Sequence, residues 1–351
     1  MLTGCYTKFT ILLRNCRTKE GGRSGRKDTI TKEYMRNPTI FADAFNKYLY
    51  HGRQVIKPEN LKVLDTTEIA VPYGGGGAGV PEQRYRDVLK TMMTDGNMAY
   101  CILGIENSSD IHYAIPVKNG LYDFMQLARQ VSETAKSHKR EAKEFPGREN
   151  YKPSQDEYLS GFYKTDKLLP VMTLAVFYSA EKWDGPLTLR EMYSAADETV
   201  MQHVPDYRVN LLAPGNMQEE EIEEFRSSLK EVMLYIKYSN NKKKLQVVTQ
   251  KHKNFRCLER QAADVISVTT NSKLKYPKGQ EVVDVCAAIE EMKMDSKLEG
   301  KLEGRLEGKI EGAVETYREL GVSFPDAIQR LADKFNLSLQ KSEEEVRKYW
   351  E

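Results

Sequence analysis

The chain has 351 residues, with 53 Lys and Arg against 51 Asp and Glu, a formal net charge of +2 and 30% charged side chains. That length can bury a full core and hold more than one domain, at roughly 100–200 residues each. No run of about 18 apolar residues occurs, which excludes a membrane-spanning helix within it. The near-neutral balance leaves a nucleic-acid partner open, because local clustering of charge decides that question. The five cysteines, Cys5, Cys16, Cys101, Cys257 and Cys286, are scattered and form no C-x-x-C pair. They argue against a disulfide framework and a zinc site, and they fit a reducing cytoplasm.

In chain order, residues 1–27 read as a basic, disordered arm ending in GGRSGRK. Its apolar patch, Phe9–Leu13, is shorter than the ~7–15 residues of a signal peptide. Asn37-Pro38 then precedes TIFADAFNKYLYHG, where Ile40, Phe41, Ala44, Phe45, Tyr48 and Leu49 recur at helical spacing and Gly52 closes the pattern. Leu64–Val71 is a short run rich in β-branched residues, ended by Pro72 and the loop Gly74–Gly79. No G-K-[ST] follows that loop, so it reads as a connector between strands rather than a nucleotide cradle. Arg84–Met93 and Ala99–Ile105 read as strands joined by the turn-rich TDGN. The second is continuously apolar, as befits a strand buried on both faces. Val117–Arg140 is expected as a long amphipathic helix and Leu168–Ala180 as another buried strand, which together give an α/β core.

From residue 187 onward, Leu187–Val204, Gln218–Tyr238, Asn254–Val268 and Gln280–Lys297 carry helical periodicity. Asn216 is expected to cap the acidic run Glu219, Glu220, Glu221, Glu223 and Glu224, whose charge suits a helix N-terminus; a metal site is the alternative. An internal repeat follows, KLEG, KLEG, RLEG, KIEG, at Lys297–Gly312. A four-residue period advances about 400° on a helix, so Leu298, Leu302, Leu306 and Ile310 form an apolar seam between a basic and an acidic stripe. Each glycine weakens this helix by about 1 kcal/mol relative to Ala. A partner helix on the seam would compensate; a flexible tether is the alternative.

Two acids in the expected sheet stand out. Asp87 lies in the Arg84–Met93 strand and Glu106, 19 residues later, sits where the apolar run Ala99–Ile105 stops. Neighbouring strands lie about 4.8 Å apart, so these carboxylates can share one divalent cation. Without one, two like charges this close would force a proton onto one of them. The alternative places both at exposed strand ends, paired with Arg84, Arg86 or Lys90. Asp43 reads as an exposed helix-face residue, with a metal-side acid as the lesser option. His112 and Tyr113 could approach a nucleic acid, although a structural histidine is the plainer reading. Nothing supports Ser-His-Asp catalysis, since no G-x-S-x-G elbow occurs. Basic side chains cluster twice. Residues 1–38 carry a net charge of +6, and residues 237–260, with Lys242, Lys243 and Lys244 among eight basic side chains, carry +7. Such patches suit sequence-independent phosphate contact, or simply a solvated loop.

Five segments occur in order: KDTITKEYMRNPTIFADAFNKYL, QRYRDVLK, YCILGIENSSDIHYAIPVKNGLYD, LPVMTLAVFYSAEKWDGPLTLREMY and PDYRVNLLAP. Together they resemble the Rpn family of recombination-promoting nucleases, also described as transposases, in the PD-(D/E)XK nuclease superfamily. The resemblance covers residues 27–312. It implies a restriction-endonuclease-like core, a mixed β-sheet flanked by helices, that hydrolyses DNA phosphodiester bonds with magnesium. It implies that Asp87 and Glu106 hold the metal, with Asn107 beside it. At the third motif position, where the superfamily has Lys and this family usually Gln, the chain has Ser108, which lacks the charge and reach of Lys. Lys90 or Lys118 could supply the missing group. The alternative is a catalytically lapsed homologue acting as a DNA-binding or assembly protein. The expected organisation is therefore an arm (1–27), a nuclease-like domain (28–186), a helical region (187–296) and a repeat helix with a C-terminal tail (297–351). The expected setting is the cytoplasm, with DNA as partner, no membrane, and self-association through the repeat helix.

Overall fold

The computed structural model describes residues 24–65, 67–70, 82–85, 87–144, 152–194, 197–272, 274–277 and 279–350. Most of the expected N-terminal arm, the Gly74–Gly79 loop and Arg86 lie outside the described residues. Two helices come first, α1 (Ser24–Arg36) and α2 (Pro38–Tyr50). The start of α2 is set as its sequence predicts: Pro38 opens the first turn and the Asn37 side chain accepts the Thr39 N–H at 2.9 Å. Its end requires a glycine. Gly52 has φ +79°, and a Cβ there would lie 2.7 Å from the Glu224 carbonyl oxygen.

Next come β1 (Leu61–Val63), β2 (Thr67–Ala70), β3 (Glu82–Tyr85), β4 (Val88–Met93) and β5 (Ala99–Ser108). The single strand expected over Arg84–Met93 is two, β3 and β4, with Asp87 in the bend between them. β2 and β3 form a separate antiparallel pair. β4 and β5 form a hairpin closed at Thr94–Asn97, where Asn97 takes φ 58°. The long helix α3 (Ile115–Glu144) then leads through a short helix, α4 (Gln155–Ser160), to β6 (Val171–Phe177). β6 lies parallel to β5, and β7 (Asn210–Leu212) parallel to β6, which completes a five-stranded mixed sheet in the order β1-β4-β5-β6-β7. The fold is thus α/β. Ile102, Leu103 and Ile105 of β5 and Leu174, Ala175, Val176 and Phe177 of β6 are buried, as their unbroken apolar runs imply. The runs overreach, however: Ala99 and Tyr100 at the start of β5 are exposed, and so is Leu168, ahead of β6.

The helix expected over Leu187–Val204 is absent as such; the segment holds a 3-10 turn at Arg190–Met192 and one helical turn, α5 (Glu198–Met201). Its start pairs instead with residues further along. The Leu189 N–H donates to the Tyr207 carbonyl and the Val209 N–H to the Leu187 carbonyl, which takes backbone groups a helix would need. Leu187, Tyr207 and Leu211 then pack on a cluster that includes Ile115, Phe177 and Trp183.

The helix expected over Gln218–Tyr238 is also broken, into α6 (Glu219–Glu223) and α7 (Leu229–Tyr238). Asp43 of α2 causes the break. Far from being exposed, it is buried, and its carboxylate accepts the N–H groups of Arg226 (2.9 Å) and Ser227 (2.8 Å) and the Ser227 hydroxyl (2.6 Å). The cap of α6 is Gln218, in a reciprocal box with Glu221, rather than Asn216, whose side chain accepts the Trp183 N–H. Then follow α8 (Lys242–Lys251), a 3-10 turn at Lys253–Arg256, β8 (Leu258–Glu259), α9 (Arg260–Thr269) and β9 (Val282–Val283). α9 packs on α1 and α7. The sheet and these helices form one compact unit, which takes in the described residues up to Ser272 and, after them, β9.

A second unit holds most of α10 (Val285–Glu319), with α11 (Phe324–Phe335) and α12 (Leu339–Tyr349). Its core is Ile310, Ala313, Val314, Ala327, Leu331 and Val346, flanked by Phe324 and Trp350 in edge-to-face contact at 5.4 Å. The KLEG repeat is helical throughout. Among the described residues, no helix is long and apolar enough to cross a membrane, and Cys101 and Cys257 are free thiols.

Candidate functional site at the β4–β5 hairpin

Hairpin register brings the two acids together. Val88 pairs with Ile105, so one further step along the same register sets Asp87 opposite Glu106. Neither acid sits at an exposed strand end. The Glu106 side chain is 8% exposed and the Asp87 side chain 13%. Their partners also differ from those expected. Glu106 is bonded to the Lys118 ammonium, which the first turn of α3 delivers from just beyond the end of β5. Asp87 accepts the Asn107 N–H at 2.8 Å and the Asn107 side-chain amide at 3.2 Å, with the Lys32 ammonium of α1 at 3.9 Å.

Lys90 takes no part. It is buried, donates to the Arg36 carbonyl at 2.7 Å, lies 4.9 Å from the centre of the Phe41 ring, and is pushed down to about 8 by burial.

The electrostatics are those of a small, strongly coupled charge cluster. Burial raises the Asp87 carboxyl above its usual value; the Asn107 N–H opposes that, Asp28 adds to it, and Lys32 and Lys118 oppose it. Burial alone would lower Lys118, but Glu106, with smaller help from Tyr122 and Asp87, outweighs burial and holds the ammonium above its usual value. Lys118 therefore acts on both acids. Two buried polar atoms nearby, Asn107 Oδ1 and the Tyr178 hydroxyl, have no hydrogen-bond partner among the described residues. Burial, with Tyr34 and Asp87 as neighbours, pushes that phenol well above its usual value.

This donor set fits a hard divalent cation. Two carboxylates meet the oxygen preference of magnesium, and an orphaned amide oxygen suits one of the waters that magnesium retains. Ser108 is turned away from this task, because its hydroxyl donates to the Asp110 carbonyl in the turn after β5. His112 is exposed, and its Nδ1 accepts the Ala114 N–H at the start of α3. It is a local turn residue. Lys242, Lys243 and Lys244 form the exposed first turn of α8, capped by Asn241, on a helix that packs on α7.

Sequence reading misses Lys32 and Tyr178, which nothing local marks, and misses His252 as a neighbour of the acidic run for which a metal site is the alternative reading. Glu219, Glu223 and His252 bring ligand atoms within 4.8 Å of one another. The Lys251 ammonium already bridges those acids, at 2.9 Å from Glu219 and 3.5 Å from Glu223.

Comparison with family models, with curated proteins and with solved structures finds no match to this chain.

Proposed function

We propose that this protein is a magnesium-dependent DNA endonuclease with a restriction-endonuclease-like core, of the kind the Rpn resemblance implies, acting on DNA in the cytoplasm. One observation carries the reading: two largely buried acids brought together by the hairpin register, Glu106 on β5 with a lysine ammonium on it, and Asp87 just ahead of β4 with an orphaned amide oxygen beside it. Such a cluster is costly to bury unless it serves a charged ligand. The mixed sheet flanked by helices supports the same reading.

Asp87 and Glu106 would hold the magnesium ion, which would supply an activated water and neutralise charge at the phosphodiester. Asn107 fixes the orientation of Asp87 by donating its backbone N–H and its side-chain amide to one carboxylate oxygen. Lys118 supplies the positive charge that Ser108 lacks, and it stands where a scissile phosphate oxygen can exchange for Glu106 as its partner. Two acids and two lysines are balanced before substrate arrives, so a divalent cation is accommodated once DNA brings its phosphates. Lys242, Lys243 and Lys244 extend phosphate contact. Three like charges in the first turn of α8 oppose that helix's own dipole, a cost that an anionic partner would offset.

A second reading, a lapsed homologue that binds DNA or assembles without cutting it, is favoured by Ser108, whose hydroxyl is spent on the Asp110 carbonyl. Plasmid nicking by the purified chain with magnesium, calcium or EDTA separates the two. Asp87→Ala and Glu106→Ala should each abolish magnesium-dependent nicking and leave the fold intact. Full activity in either variant places the site elsewhere, and no cutting under any metal selects the second reading.

A further inference from the structure

The four-residue pattern of α10 extends one step before the KLEG run, because Lys293-Met294 keeps the same spacing. Along this seam Met294, Leu298, Leu302 and Leu306 are 73%, 58%, 58% and 46% exposed, whereas Ile310, the next member, is 5% exposed. The seam is thus covered where α11 and α12 pack on it and bare for the turns before. The bare part spans about 18 Å at 1.5 Å per residue. On either side of it, about 100° away around the helix, run Lys297, Lys301 and Arg305 on one flank and Glu303 and Glu307 on the other, all exposed. Glu307 is engaged by Lys348 and Tyr349 of α12, which leaves Glu303 as the open acid among the described side chains of this flank.

We propose that this face binds the same face of a second copy, with the two α10 helices parallel. Symmetry and charge select that occupant. In a parallel two-fold pair the axis runs along the helices, and each basic flank lies against the partner's acidic flank. In an antiparallel pair the axis crosses the helices, and Lys meets Lys while Glu meets Glu. The four-residue rows interdigitate at a crossing angle of about −50°, so contact centres on Leu298, Leu302 and Leu306 rather than on an extended coiled coil. Gly300, Gly304 and Gly308 have open space on the far side of the helix. Four part-exposed side chains per copy fall well short of the ~1,200 Å² at which stable interfaces begin, so the pair is weak, concentration-dependent and sensitive to salt. The inference does not depend on nuclease activity.

Sedimentation velocity of the full chain over a range of concentrations tests it. Self-association should weaken between about 0.05 M and about 1 M salt, as the screening length falls to about 3 Å. An antiparallel pair would strengthen, which overturns the proposal, as does a chain that stays monomeric throughout. Lys301→Glu with Arg305→Glu should weaken association about tenfold at low salt. Leu302→Ser should also weaken it, with circular dichroism confirming that each variant remains folded; folded variants that associate like the wild type overturn the assignment of the seam. Orientation is read by oxidative cross-linking against the wild-type background. Leu298→Cys and Leu306→Cys should each form a covalent dimer. Cross-linking of Leu302→Cys alone marks an antiparallel pair and overturns the parallel one.

Discussion

Replacing Lys118 by Met keeps the length of the stem and removes the ammonium, which isolates its role. The Glu106 side chain is 8% exposed and Lys118 is 37% exposed. Stranding a carboxylate when both partners are buried costs about 3–5 kcal/mol. Solvent reaches Lys118, so screening reduces the expected loss of stability to about 1–2 kcal/mol. Cleavage should suffer more. An ammonium that stabilises charge developing on the scissile phosphate is worth about 10²–10³ in rate, or about 2.7–4 kcal/mol. Single-turnover nicking under saturating magnesium measures the rate, and urea unfolding measures stability. Adding Ser108→Lys to the Lys118→Met variant returns an ammonium from the neighbouring strand position and should recover at least about a tenfold part of the loss. Lys118 holds the Asp87 carboxyl down, so without it that carboxyl rises further and the acid limb of the pH–rate profile should move to higher pH. A folded Lys118→Met variant that cuts at the wild-type rate refutes the role.

Asp43→Ala removes the acceptor for two backbone N–H groups and a hydroxyl; at about 1–3 kcal/mol per stranded group the expected cost is at least about 3 kcal/mol, and a urea-derived loss below about 1 kcal/mol would contradict it. Asp87, raised by burial above its ordinary 3.8, binds its proton more tightly folded than unfolded. Stability should therefore fall as pH rises from the ordinary value through the raised one. Asp87→Asn escapes that loss, so its urea midpoint should overtake the wild type across this window; parallel midpoints at every pH would show that the burial does not act. Changing Lys242, Lys243 and Lys244 to Gln should weaken DNA binding equally for all sequences and flatten the salt slope by about 2.7, at 0.9 per phosphate contact. An unchanged slope assigns them to an idle surface.

Elements governed by local chemistry were legible in the sequence. Asn37-Pro38 announced the start of α2, TDGN marked the hairpin turn, and the unbroken apolar run of Ala99–Ile105 marked the central strand. The spacing of Asp87 and Glu106 anticipated the register that sets them opposite each other. Where distant partners decide the structure, periodicity misled. Leu187–Val204 has a helical pattern, yet its backbone pairs with residues 207–209. Asn254–Val268 begins not as a helix but as a 3-10 turn and β8, because Leu258 pairs with Val283. Lys90 and Lys118 look alike in the sequence as sources of charge. Only the fold shows that one faces the Arg36 carbonyl and the other Glu106.

The grip of Asp43 on Arg226 and Ser227 also constrains how the protein is made. Two further links tie the same stretches: the Tyr34 hydroxyl bonds to the Ser228 hydroxyl at 3.0 Å, and Lys47 to Glu224 at 2.8 Å. During vectorial synthesis the first helices and the sheet strands leave the ribosome long before their partners at residues 224–228. Until then a carboxylate destined for burial has no donors, and the nascent chain must wait in a partly assembled state with apolar surface exposed. Contacts of such long sequence separation slow folding. Fragments ending near residue 186 would carry every acid of the candidate site and still lack the groups that close the unit around it.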